Sequence, residues 1–104
     1  MTSEEFDDLV REENLQSDHI LRAKAAEYAS IDDRLSNFKH CAGLRGTNSA
    51  DALVGMLVKH FESISEMAKH PLEYSDEHWD EKLRDIRNYT YLLRALLNDM
   101  RKGY

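Results

Sequence analysis

The chain has one cysteine, one proline, one tryptophan and only four glycines among 104 residues. A lone thiol, Cys41, excludes an internal disulfide and fits a reducing compartment. So little proline and glycine argues against a turn-rich β fold and for long helices. There is no apolar run long enough to span a bilayer and no signal-peptide pattern, so a cytoplasmic location without a membrane partner is expected. Cations are outnumbered, with 14 Lys and Arg against 20 Asp and Glu, for a net charge of −6. Because the lysines are also unclustered, direct binding of a nucleic-acid backbone is not expected. The acid excess suits metal binding, a surface that imitates nucleic acid, or simple solubility.

What is present is helical pattern. At 41% hydrophobic and 33% charged, residues 1–104 read as a single globular domain with a heavily charged surface. A core of this size stabilises only marginally, which favours self-association into a homo-oligomer. The fold class that follows is an all-α bundle of four to five helices, the last two long ones antiparallel. Thr2-Ser-Glu-Glu5 has the form of a capping box and opens a first short helix with Phe6, Leu9 and Val10 on its apolar face. Asn14 to Ser17 predicts an interruption, with Ser17 or Asp18 capping a second helix that carries Ile20, Leu21, Lys24, Glu27, Tyr28 and Ile31 on one side. Asp32 or Asp33 caps a short helix bearing Leu35, Phe38 and Ala42, and Gly43 to Ser49 reads as a loop. Asn48 or Ser49 then opens a long helix near residues 50–69, with Leu53, Met56, Leu57, Ile64 and Met67 as its stripe. Pro71 ends it, and Ser75-Asp-Glu77 starts the last helix.

The last helix carries the most information. Trp79, Leu83, Ile86, Thr90, Leu93, Leu97 and Met100 recur at steps of three and four, which predicts its buried stripe. Beside them Glu81, Asp85, Asn88 and Leu92 form a second row whose first three members are polar. A carboxylate at the border of a buried face needs a cation or a donor. On the preceding helix Lys59, Ser63 and Glu66 form a matching row. Antiparallel packing would bring the rows face to face and let Glu66, Glu81 and Asp85 converge. Oxygen ligands on facing helices suit magnesium or manganese. The ordinary alternative is a set of interhelical salt bridges from Lys59, Arg84 and Arg87. His60 falls within the apolar stripe, either as a hydrogen-bonded core residue or, beside Lys59, as a contact for a phosphate or base. Tyr28 and Phe38 are either core or a stacking surface for a nucleobase. No Walker spacing, zinc-ligand spacing or catalytic triad is legible.

Four stretches carry a family resemblance: Lys24-Ala-Ala-Glu27-Tyr28, Asp33-Arg34-Leu35-Ser-Asn37-Phe38, Lys59-His60-Phe-Glu-Ser63-Ile64-Ser-Glu66-Met67, and Glu81-Lys-Leu-Arg-Asp85-Ile-Arg-Asn88-Tyr89. Together they resemble small phage and prophage proteins akin to the MazG-like, all-α nucleoside triphosphate pyrophosphohydrolases. The resemblance covers roughly residues 20–97 and implies a dimeric or tetrameric helical bundle that binds a nucleotide with magnesium. It implies Glu66, Glu81 and Asp85 as metal ligands, and Lys59 with Glu66 as the catalytic pair. Lys24, Tyr28, Asn37, Phe38, His60, Asn88 and Tyr89 would then line the nucleotide site. The family's E-E-x-x-E motif is met here by Lys59, His60, Glu62, Ser63 and Glu66, and its E-x-x-D by Glu81-x-x-x-Asp85. A lysine in place of a carboxylate weakens a multi-metal cluster. Two readings therefore stand: a nucleotide-binding protein, with or without pyrophosphohydrolase activity, and a non-enzymatic acidic helical interaction protein of phage origin that binds a basic partner.

Overall fold

The computed structural model describes residues 1–25 and 33–103. Among them run four α-helices, α1 (Ser3–Ala23), α2 (Ser36–Arg45), α3 (Ser49–Lys69) and α4 (Asp76–Arg101), with a single 3₁₀ turn at Pro71–Glu73. The fold is an all-α bundle. Its two longest-packed partners are α3 and α4, which run antiparallel, while α2 lies on α3 and α1 on α4. No described helix is long and apolar enough to cross a membrane.

The helix starts follow from their capping residues. At α1 the Thr2 hydroxyl accepts from the Glu5 amide at 3.0 Å, and the Glu5 carboxylate accepts from the Thr2 amide at 3.4 Å. At α3 Asn48 Oδ1 accepts from the Asp51 amide at 2.9 Å, and at α4 Ser75 Oγ accepts from the His78 amide at 3.1 Å. Each side chain satisfies a backbone donor that the first turn leaves unpaired. The turn between α3 and α4 is held by Trp79, whose Nε1 donates to the Pro71 carbonyl at 2.8 Å. The exit from α2 uses Gly46 at φ 68°, a left-handed conformation that a Cβ would strain. Gly43, expected in that loop, is instead inside α2.

The predicted break at Asn14 to Ser17 does not occur, and α1 passes through it as one helix. The reason is tertiary. Ser17 is only 2% exposed and its hydroxyl accepts from Arg87 Nε at 2.8 Å, while Arg87 Nη2 donates to Glu13 at 2.9 Å. A serine occupied in this way no longer competes for the backbone.

The core is small and well defined. Leu35 and Phe38 from the start of α2, Leu53 from α3 and Leu96 from α4 form one buried cluster, with Met56, Tyr89, Leu92, Leu93 and Ala95 packed around it. Leu53 and Leu96 are fully buried, a burial that contributes about 1.5–3 kcal/mol each. The buried face of α4 also differs from the predicted one. Leu83, Thr90 and Met100 are exposed, whereas Asn88 and Leu96 are buried. The face turns because α4 is packed against α1 as well as α3, so its inward side runs through the row that holds Asn88 and Leu92. At the far end Lys39 bridges Asp33 at 2.7 Å and Asp99 at 3.2 Å, tying the approach to α2 onto α4. The Lys39 ammonium, aided by the Leu35 amide, holds the Asp33 carboxyl below its ordinary range, and Asp33 in turn raises Lys39.

Candidate functional site

A cleft of about 320 Å³ opens where the three packing elements meet α4. Its walls are built one helix at a time. The end of α1 gives Ile20, Leu21 and Lys24, and the start of α2 gives Arg34, Asn37 and Phe38. Met56 and His60 come from α3, one turn apart, and Asp85, Asn88, Tyr89 and Leu92 come from the inward face of α4. This volume falls at the lower end of small-molecule sites, and the mix of apolar walls with a few polar groups is typical of them.

The polar groups are unevenly satisfied. Arg34 donates one hydrogen bond, from Nη2 to the Leu21 carbonyl at 3.1 Å, which caps the carbonyl end of α1. His60 Nδ1 lies 3.8 Å from Asp85 Oδ2, an ion contact when the imidazole is protonated but too long for a hydrogen bond. The His60 ring also lies against Tyr89, with centroids 4.9 Å apart, and Phe38 meets Tyr89 edge-on at 6.4 Å. Asn88 is 8% exposed, and its Oδ1 is buried without a hydrogen-bond partner. An orphaned buried acceptor costs about 1–3 kcal/mol. It therefore marks a place where a ligand can restore what folding removed. Among the described residues, Lys24 and Arg34 share the cleft with the carboxylate of Asp85.

A second hollow adjoins the first through Ile20, Lys24 and Asp85, and continues along the first turns of α4 past Glu77, Asp80, Glu81 and Arg84. Arg84 Nε is the other buried polar atom without a partner among the described residues.

Lys24, Asn37, Phe38, His60, Asp85, Asn88 and Tyr89 thus line one cleft. Tyr28 lies outside the described residues. The remaining expectations do not meet there. Lys59 is exposed, because it stands about 100° around α3 from His60, and it is His60 that faces α4. Glu66 is exposed and paired with Lys69 at 2.9 Å. His60 and Asp85 set the register of the two helices, and Glu66 lies six residues further along α3, or about 9 Å by helical rise. Glu81 is exposed and borders the second hollow with Asp85, whereas Glu66 lines neither hollow. Among the described residues no three His, Cys, Asp or Glu side chains are grouped to hold a metal ion. The expected convergence of Glu66, Glu81 and Asp85 is therefore corrected: a phase difference of one residue on α3 turns the acidic row away from α4. No catalytic step is derived through a metal ion. Arg34, Met56 and Leu92 were not anticipated as lining residues. Arg34 lies inside the second stretch of the resemblance, but nothing in its spacing distinguishes a cleft cation from a surface one.

No protein-family model, no curated protein and no solved structure matches the chain.

Proposed function

We propose that this protein is a nucleotide-binding protein, with the cleft between α1, α2, α3 and α4 as its site. The observation that carries the reading is the unpartnered, buried carboxamide oxygen of Asn88 on the cleft wall. Around it, Phe38 and Tyr89 offer aromatic surface for a base, and Lys24 and Arg34 offer charge for a phosphate. Hydrolysis is not part of this proposal, because Glu66 and Lys59 stand apart from the cleft.

Asn88→Leu tests it. Leucine has nearly the shape of asparagine and removes the orphaned acceptor, so the variant is expected to melt above the wild type, by an amount corresponding to about 1 kcal/mol. A ligand that binds only the folded state raises the melting temperature by mass action. Wild type is expected to show such a rise with nucleoside monophosphates, and Asn88→Leu to show none. Running the melts with and without magnesium tests the cation expected from the family resemblance. A wild-type melting temperature unmoved by any nucleotide removes the reading.

One observation favours the second reading, an acidic interaction protein. The first twelve residues are exposed all around, and they carry Glu4, Glu5, Asp7, Asp8 and Glu12 together with Phe6, Leu9 and Val10. Such an arm suits a basic, amphipathic partner. We further propose self-association through the outer face of α3, where Val54, Val58 and Phe61 are exposed at i, i+4 and i+7. Sedimentation of wild type should show a mass above the monomer and Phe61→Glu a monomer; a monomeric wild type ends this part of the proposal.

A further inference from the structure

We infer that the cleft selects guanine among nucleobases, an inference that rests on the nucleotide-binding reading above. Asp85 and Asn88 lie at i and i+3 on α4 and line the same cleft. They place up to three acceptor oxygens there, two on the carboxylate and one on the carboxamide. Asn88 Oδ1 receives no hydrogen bond. The nearest cation to Asp85 among the described residues, His60 Nδ1 at 3.8 Å, is beyond hydrogen-bonding length. Neither Asn88 Oδ1 nor the Asp85 carboxylate accepts a hydrogen bond from a described residue, so the ligand edge that complements them is one made of donors.

The bases differ sharply in this respect. Guanine presents N1–H and one N2–H side by side on one edge, and its second N2–H points round towards the sugar edge, so donors alone face these acceptors. Adenine and cytosine each present an amino group beside a ring-nitrogen acceptor, which would oppose the Asp85 carboxylate. Uracil and thymine place carbonyl oxygens on both sides of their single N–H. Hypoxanthine keeps N1–H and lacks the amino group, so it reports the C2 contact alone. Guanine's O6 and the 5′-phosphate are acceptors, and they match Lys24 and Arg34 on the other side of the cleft. The flat ring lies against Tyr89 and Phe38, whose edge-to-face packing fixes that wall. A base without the donors leaves Asn88 Oδ1 buried and unpaired, so the penalty for a wrong base falls on binding directly.

The test is calorimetric binding of guanosine, inosine, xanthosine, adenosine and uridine monophosphates to the full chain, for wild type and Asp85→Asn. Wild type is expected to bind guanosine monophosphate at least about tenfold more tightly than any of the other four, the discrimination ordinary for a bidentate base contact. In Asp85→Asn an amide N–H replaces one acceptor and meets the C2 carbonyl of xanthine. The variant should therefore prefer xanthosine over guanosine monophosphate, reversing the wild-type order. A merely structural role for Asp85 would lower all five affinities together. Equal binding of the five by wild type overturns the guanine inference and leaves the nucleotide reading standing. Uniform loss in Asp85→Asn, without reversal, overturns the role of Asp85. Binding of none of the five overturns both.

Discussion

Leu53→Ala is expected to lower the free energy of unfolding by about 2–5 kcal/mol, the range for a leucine truncated in a packed core. Leu53 is 0% exposed and joins Leu35, Phe38 and Leu96 in the buried cluster of the described residues. The described residues bury eight apolar side chains, so each carries a large share of a total stability that for a domain of this size is about 5–15 kcal/mol. Deleting three carbons leaves a void between α2, α3 and α4 that the helices close only partly, because each is also held by its other contacts. The effect reaches the site: Phe38 packs on Leu53 with one face of its environment and lines the cleft with another. Denaturant unfolding should show a lower midpoint at unchanged slope, which separates lost stability from an altered unfolded state. Leu72→Ala, at a residue 97% exposed on the turn after α3, is the control, with an expected change within about 0.5 kcal/mol. A Leu53→Ala loss no larger than that of the control would show that the cluster is not the core.

Local chemistry made the starts of α1, α3 and α4 legible but not that of α2, expected at Asp32 or Asp33 and found after Leu35 without a side-chain cap. Thr2 with Glu5, Asn48 and Ser75 are read from the sequence as caps because a cap needs only its own next three residues. Leu35, Phe38, Ala42, Leu53, Leu57 and Met67 were legible as core for a related reason, a clear apolar spacing on α2 and α3. The continuity of α1 was not legible. Ser17 looks like a breaker until Arg87, 70 residues away, takes its hydroxyl. The inward face of α4 was not legible either. Two overlapping stripes run along it, and periodicity cannot say which one meets two neighbours at once. A burial argument from residue type would place Asn88 at the border, yet it is more buried than Leu83. The cleft residues are named through the family resemblance, since spacing alone leaves His60 and Phe38 open between core and ligand contact. Lys59 and Glu66 were misplaced by a phase of one residue, which is a small step in sequence and about 100° in space.

Arg87→Ala is expected to release α1 while the rest of the bundle stays folded. α1 packs mainly on α4, and its first half touches little. Arg87 is the polar anchor of that contact: Nε donates to Ser17 Oγ at 2.8 Å and Nη2 to Glu13 Oε2 at 2.9 Å. Hydrogen bonds to charged groups contribute about 1.5–3 kcal/mol when buried. Here Arg87 and Glu13 are 29% and 22% exposed, so screening reduces the expected loss to about 2 kcal/mol. Truncation also leaves Ser17 buried without its donor and Glu13 half-buried without its cation. Because these groups serve one interface, the loss should appear as local opening of α1 rather than as global unfolding. Amide hydrogen exchange should accelerate along the second half of α1 and stay unchanged in α3 and in the core-facing turns of α4. Ile20, Leu21 and Lys24 form the α1 wall of the cleft, so nucleotide affinity should fall in parallel with α1 protection. Arg87→Lys keeps the charge but reaches only one of the two partners, and an intermediate effect is expected. If α1 protection is unchanged in Arg87→Ala, the anchor is not what holds the helix. If all helices lose protection together, α1 is part of the cooperative core, and the cleft cannot open by releasing it alone.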